Sequence, residues 1–296
     1  MKPVRTAVIP AGGLGTRFLP FSRAVPKELL PLVDTPVIDL VVSECAAAGI
    51  ERIFLVVGPG KEALAAYFRP NDRLSARLVA EGRTAELAAL RRPEGLARVE
   101  VVIQEEARGN GHAVLVAREA VGDEPFALLW GDDIIMSAGE PALTTLLRTR
   151  ARRGGGSVVG AVRVPREAVS RYGILVGEPD DLGDLRVSGI VEKPEAGVAP
   201  SDLAQVHGYV FEPEIFEVLA SQPPGRGGEI WLSDAVTRLA ARSLVWGALL
   251  GGTRYDAGDR AGYAAAFVDA ALGREDTAPA VREALRARGW QPPQLP

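Results

Sequence analysis

Residues 11–20 read Ala11-Gly12-Gly13-Leu14-Gly15-Thr16-Arg17-Phe18-Leu19-Pro20, and residues 26–28 downstream read Pro26-Lys27-Glu28. Before them runs Thr6-Ala7-Val8-Ile9, a short apolar segment with β-branched residues that predicts a buried strand. Three glycines then fall within four positions. Glycine lets a chain turn sharply and leaves no Cβ between its N–H groups and a ligand. A strand ending in such a loop can aim several N–H donors at a phosphate chain. Arg17 adds a forked cation matched to phosphate oxygens, and Lys27 a compact one.

Two common glycine motifs are excluded. The dinucleotide fingerprint requires a third glycine where this chain has Phe18, and the Walker A loop requires Lys and Ser/Thr after its last glycine, where Thr16 and Arg17 stand. Glycines alone would indicate no more than a turn between strand and helix; Arg17, Lys27 and Glu28 tip the balance toward a phosphate loop. The combination Gly12-x-x-Gly15-Thr16-Arg17 with Pro26-Lys27-Glu28-Leu29-Leu30-Pro31-Leu32 resembles the signature of the sugar nucleotidyltransferases. It most resembles the bacterial members that join UTP to glucose 1-phosphate.

Composition bounds what else the chain could be. Its 296 residues are ample for a real core, with 47% apolar and 24% charged residues as in ordinary globular proteins. A net charge of -4 offers no polyelectrolyte reason to expect nucleic-acid binding. No apolar run is long enough to span a membrane, and the sequence starts without a signal-peptide pattern. The single cysteine, Cys45, excludes an internal disulfide and fits a reducing cytoplasm. Of 34 basic residues only four are lysines, namely Lys2, Lys27, Lys61 and Lys193. In a chain that uses Arg for generic charge, a lysine marks a place for a slim point charge.

The hydrophobic pattern predicts strands at 6–9, 52–57, 99–104, 126–130, 157–164, 172–176, 186–192 and 205–211. It predicts helices at 36–48, 61–68, 73–92, 111–121, 141–152, 213–220, 230–242, 260–272 and 278–288. Alternating strands and helices indicate an α/β fold. Its central sheet should be mixed but mostly parallel and covered on both faces, with a smaller strand-containing sub-domain. We expect one domain over 1–296: a nucleotide half to about 153, a sugar-phosphate half to about 258, and C-terminal helices. Gly154-Gly155-Gly156 would mark the seam. Ligands of such sheets bind beyond the carboxyl ends of the strands, where the glycine loop, Gln104 and Asp132 all fall.

Three further clusters carry chemistry. In Gln104-Glu105-Glu106-Ala107-Arg108-Gly109-Asn110-Gly111-His112, the amide of Gln104 offers a donor beside an acceptor, which suits uracil and opposes cytosine. Gly109 and Gly111 would let backbone pack against the base, with His112 as a positioning residue rather than a proton carrier. Asp132-Asp133 at a strand end suits Mg²⁺, which prefers oxygen ligands, although such a pair is more often an acidic turn. Ser170-Arg171-Tyr172-Gly173 and Ile190-Val191-Glu192-Lys193-Pro194 form the last cluster.

The resemblance runs in order from about residue 4 to about 272 and implies a Rossmann-like nucleotidyltransferase fold. It implies that Ala11, Gly12, Gly13, Gly15, Thr16, Gln104, Gly109 and Gly111 hold the nucleotide. Asp132 and the Asp256 of Tyr255-Asp256-Ala257-Gly258 would hold Mg²⁺. Arg17, Lys27 and Lys193 would carry the catalytic charge. Glu28, His112, Gly173, Glu192 and Lys193 would face the sugar phosphate. The implied reaction converts UTP and glucose 1-phosphate to UDP-glucose and pyrophosphate, in a homodimer or homotetramer. A thymidylyltransferase, a uridylyltransferase for another hexose 1-phosphate, or a silent nucleotide-sugar-binding homologue are the alternatives. The chain departs from the family's usual residues at Asp202 (Asn), at Trp231 (Gln) and at His207-Gly208 (Gly-Arg), all on the sugar side.

Overall fold

The computed structural model describes residues 1–137, 139–180 and 184–290, apart from the side chain of Arg226. The last residues of the expected C-terminal segment, 291–296, therefore lie outside the described residues. Nine strands form one sheet: β1 (Thr6–Pro10), β2 (Arg52–Val57), β3 (Arg98–Ile103), β4 (Phe126–Leu129), β5 (Ser157–Arg163), β6 (Gly173–Pro179), β7 (Leu185–Glu192), β8 (Leu203–Phe211) and β9 (Val245–Leu249). Their order is β3-β2-β1-β4-β8-β5-β9-β7-β6. The sheet runs unbroken across the two expected halves.

Alternation along each strand sorts the side chains onto two faces. Ala7, Ile9, Ile53, Leu55, Ala127 and Leu129 join one core. It is capped by Val37–Ala47 through Ile38, Val41, Val42 and Cys45, and by Ala142–Arg152 through Leu143 and Leu146. Val8, Phe54, Val56, Phe126 and Leu128 join the other core, capped by Asn110–Leu115, Glu214–Ala220 and Leu232–Ala240. Strands covered on both faces read as unbroken apolar runs, which is why TAVIP, RIFLVV and FALL were legible.

The expectation of a mostly parallel sheet holds only in the N-terminal half. β1 runs parallel to β2 and β4, and β2 to β3, with Thr6 opposite Arg52 and Phe126. Beyond β4, strand β8 enters antiparallel to both β4 and β5; β7 is antiparallel to β6 and β9, and only β5 and β9 are parallel there. Only five residues separate β6 from β7, too few for a crossover helix, so β7 returns antiparallel beside β6. β9 is absent from the expected elements; a short apolar run containing Gly247 is ambiguous by periodicity. A second unexpected feature is a two-stranded ribbon, Asp133–Met136 against Thr253–Asp256, with Asp133 opposite Asp256.

Candidate active site

The glycine loop leaves β1 as expected and packs over a buried carboxylate. Glu28 is 2% exposed and lies 3.5 Å from Lys27 and 3.3 Å from Lys61. Lys61 Nζ also donates to the carbonyls of Ala11 (2.8 Å) and Gly13 (2.5 Å). Lys27 spans from Glu28 to Asp132, with which it forms an ion pair. Burial alone would lower its pKa, but the two carboxylates outweigh this and raise it, so it stays an ammonium. Gly15 holds φ +66° before the turn Thr16–Phe18 and receives a 2.7 Å hydrogen bond from Ser22 Oγ on its carbonyl. Gly12 leaves little room for a side chain: a Cβ there would lie 3.3 Å from Gly58 N and 3.4 Å from Gln104 Oε1.

The ribbon brings the second acidic turn onto the first. Ala257 N donates to the Asp132 carbonyl at 2.7 Å. A Cβ on Gly258 would collide with Asp132 Oδ2 and come within 3.1 Å of Asp256 Oδ1, so both carboxylates flank this one glycine. Burial raises the pKa of Asp256, and the neighbouring charge of Asp132 raises it further. Asp132 already pairs with Lys27, and Asp256 adds a second carboxylate beside it. Among the described residues no group of three or more His, Cys, Asp or Glu gathers. The donor set thus fits a hard ion that keeps waters and takes phosphate oxygens as further ligands. Arg17 approaches the same turn, its Nη1 3.5 Å from the Gly258 carbonyl.

Asp133 has a different task. Buried at 5% exposure, it accepts from Arg254 Nε (2.9 Å) and Nη2 (2.8 Å) and from the His207 backbone N–H (3.0 Å). It locks the ribbon to β8. Asp259 caps Arg260–Leu272 through the Ala261 N–H.

At the end of β3, Gln104 Nε2 donates to the Gly109 carbonyl at 3.3 Å and lies 3.0 Å from His112 Nδ1. A carbonyl only accepts, so this amide orientation is fixed. His112 Nδ1 then accepts and its proton sits on Nε2. Burial, then the charge of Arg108, lowers the His112 pKa and keeps the ring neutral for that role. Gln104 Oε1 remains as the acceptor facing the glycine loop. Gly109 and Gly111 have a steric reason to be glycines that is independent of any base. A Cβ on either would come within 2.8 Å of the Ile230 carbonyl. Their loop pairs with the segment before Leu232–Ala240: Ile230 N donates to Arg108 O, Gly111 N to Ile230 O, and Leu232 N to Asn110 Oδ1.

Gly173 pairs with Glu192 across β6 and β7, and a Cβ on it would meet Glu192 Oε2 at 3.2 Å. Lys193 follows with φ +48° and lies 3.6 Å from Glu192, more than half exposed. Glu192, Lys193, Glu229, Trp231, Ser233 and Asp234 line an open cleft of about 550 Å³. Two residues expected beside the sugar do not line this cleft. Glu28 is the buried counter-charge of Lys27 and Lys61, and His112 orients Gln104.

The nucleotidyl transferase family model matches residues 6–271. The chain belongs to the nucleotidyl transferase family. It is 42% identical over 272 residues to UTP–glucose-1-phosphate uridylyltransferase of Bacillus subtilis (strain 168), covering 92% of each chain. Among solved structures it resembles a UTP-bound UGPase from Acinetobacter baumannii, with 32% identity, a TM-score of 0.88 and coverage of 96% and 99% of the two chains. It also resembles a UDP-glucose pyrophosphorylase complexed with UDP-glucose, at 33% identity and a TM-score of 0.81, over 92% and 100%.

Of the three departures from this nucleotidyl transferase's usual pattern, only Trp231 lines the cleft. Asp202 forms a surface ion pair with Arg163 at 2.7 Å. His207 is fully buried in the bulge of β8 at φ +66°, its Nε2 2.8 Å from Glu44. Burial alone would lower the His207 pKa; Glu44, with Asp133, overcomes this and raises it. A folded pKa above the ordinary value of about 6.5 stabilises fully below that pH and fades as pH rises through the raised value. The midpoint of urea unfolding should therefore fall across that window, and His207→Gln should remove this decline. An unchanged profile in the variant would exclude His207 as its source. Sequence reasoning gave Lys61 no settled role and missed Arg254 and the ribbon; for Lys61 the scarcity of lysine was the available signal.

Proposed function

We propose that the chain transfers a uridylyl group from UTP to glucose 1-phosphate, releasing pyrophosphate and forming UDP-glucose. The observation that carries this is the convergence at the carboxyl ends of β1, β3 and β4. There a loop of glycine N–H groups, Lys27, Arg17 and two facing carboxylates stand beside an amide with a fixed orientation. The names of the relatives supply the substrates. Gln104 Oε1 would accept from uracil N3–H, whereas the bare N3 of cytosine would face it with a lone pair. The loop N–H groups and Arg17 would hold the triphosphate. A sugar-phosphate oxygen, steered by Lys193 and with Glu192 accepting from sugar hydroxyls, attacks the α-phosphorus. The α–β bridging bond breaks, and pyrophosphate leaves in line. Lys27 offsets charge on the phosphates. Asp132 and Asp256 would hold Mg²⁺, which when bound supplies further neutralisation of the two anions. Alignment and charge neutralisation are the main tasks of such a site.

Pyrophosphate release should be measured with Mg²⁺ and glucose 1-phosphate across UTP, dTTP and CTP. A strong preference for UTP is expected. Preference for dTTP would move the chain to the thymidylyltransferases, and no turnover with any nucleotide would sink the assignment. Gln104→Ala should shrink the preference for UTP over CTP roughly 10- to 100-fold, the value of a buried hydrogen bond and the penalty for opposing it. An unchanged ratio would remove Gln104 from the base pocket.

A further inference from the structure

We propose that Lys61 is the positioning residue that presents the glycine loop to the phosphates: by pinning two loop carbonyls on its buried side, it turns the intervening N–H groups toward the open side. The argument is stereochemical. In a planar trans peptide the C=O of one residue and the N–H of the next point in opposite directions. Lys61 Nζ takes the carbonyl of Ala11 at 2.8 Å and that of Gly13 at 2.5 Å. The N–H groups of Gly12 and Leu14 must therefore point away from it. Glu28 is 2% exposed and the Lys61 side chain 15%, whereas Leu14 is 82% exposed. Neither N–H has a hydrogen-bond acceptor among the described residues, so both are available to an anion.

The chemistry of lysine fits this task. An ammonium has three donors and no acceptor. Here it meets three acceptors: two carbonyls and the Glu28 carboxylate at 3.3 Å. Its donors are thus spent inside the protein, and Lys61 does not itself reach a phosphate. A planar guanidinium fork would not converge on three acceptors from one atom. This accounts for a lysine in a chain that otherwise uses arginine for almost every positive charge. Glu28 also links Lys61 to Lys27, so a single buried carboxylate sets both the loop and the cation beside Asp132.

The inference rests on the nucleotide reading of the loop, and its test separates the two. The parent is assayed first: if it neither binds UTP nor releases pyrophosphate, the functional reading fails, and this one with it. With an active parent, Lys61→Met should raise the KM for UTP and the inhibition constant of pyrophosphate roughly 10- to 100-fold, as for one or two misdirected charge-assisted hydrogen bonds. The KM for glucose 1-phosphate and kcat should stay within about threefold, because the residues beside the reacting phosphates are intact. A uniform loss in kcat with no change in the KM for UTP would overturn the proposal. Removing Lys61 also deprives Glu28 of a partner, and the single variant can be lost to misfolding. Lys61→Met with Glu28→Gln, compared with Glu28→Gln alone, removes that orphaned charge. A raised KM for UTP in the double variant beyond that of Glu28→Gln supports carbonyl pinning. Equal values in the two would mean that Lys61 only neutralises Glu28, and would overturn it.

Discussion

Asp132→Ala should reduce pyrophosphate release by about 10³-fold or more, the scale on which electrostatic stabilisation of a transferring phosphate acts, with its thermal transition lowered only modestly. The two halves of this expectation have separate physical origins. The backbone carbonyl of Asp132, which holds Ala257 across the ribbon at 2.7 Å, survives the substitution. The carboxylate lost is one of a repelling pair, since its charge helps hold the Asp256 pKa up. Folding loses the Lys27–Asp132 ion pair but gains relief of that repulsion, and Lys27 keeps Glu28 as a partner, so the net cost is modest. Turnover loses one of the two oxygen donors for the ion and the partner that holds Lys27 in place. Near-parental activity would remove the acidic pair from the chemistry, while a large fall in thermal stability would show that Asp132 is structural instead.

Arg254→Ala should act on the fold. Arg254 holds Asp133 through both its Nε and Nη2, and Asp133 also anchors the His207 backbone N–H in the bulge of β8. Removing the guanidinium leaves a carboxylate with 7% side-chain exposure without its counter-charge. Breaking one side of such a pair costs about 3 kcal/mol or more, or roughly 6–12 °C in Tm for a protein of this size. Asp133→Asn in the same chain should recover much of that loss, because the orphaned charge is removed. If the double variant is no more stable than Arg254→Ala, the cost lies elsewhere, for example in the packing of the guanidinium 5.3 Å from the Tyr172 ring centroid.

The sequence made one half of the site legible. Parallel strands buried on both faces leave apolar runs whose ends are easy to find, and the glycine loop, Gln104 and Asp132 sit at three such ends. The other half depends on pairings that periodicity does not report. Asp256 reaches Asp132 through strands of only four residues, separated by more than a hundred positions. Only resemblance connected the two. Glu28 and His112 have side chains suited to sugar hydroxyls; the burial of one and the amide contact of the other become visible only when residues 61 and 104 come close in space. Asp133 differs from Asp132 by one position, yet it opens the ribbon strand with its side chain buried, whereas Asp132 stays in the preceding turn.

The backbone stitching between residues 108–111 and 230–232 has a consequence for how this chain can change. These two strips are hydrogen-bonded into one unit, with no room for a Cβ at Gly109 or Gly111; on the proposed function one carries the base-reading amide and the other a wall of the sugar cleft. Any shift in one substrate's affinity caused by filling the other's pocket must be reciprocal. Substitutions at Trp231 or Glu229 should therefore be assayed for both substrates, since coupling through these strips would change the two affinities by the same factor. Any change that puts a side chain on Gly109 or Gly111 would strike the Ile230 carbonyl, so the two strips can vary only in ways that keep this backbone contact.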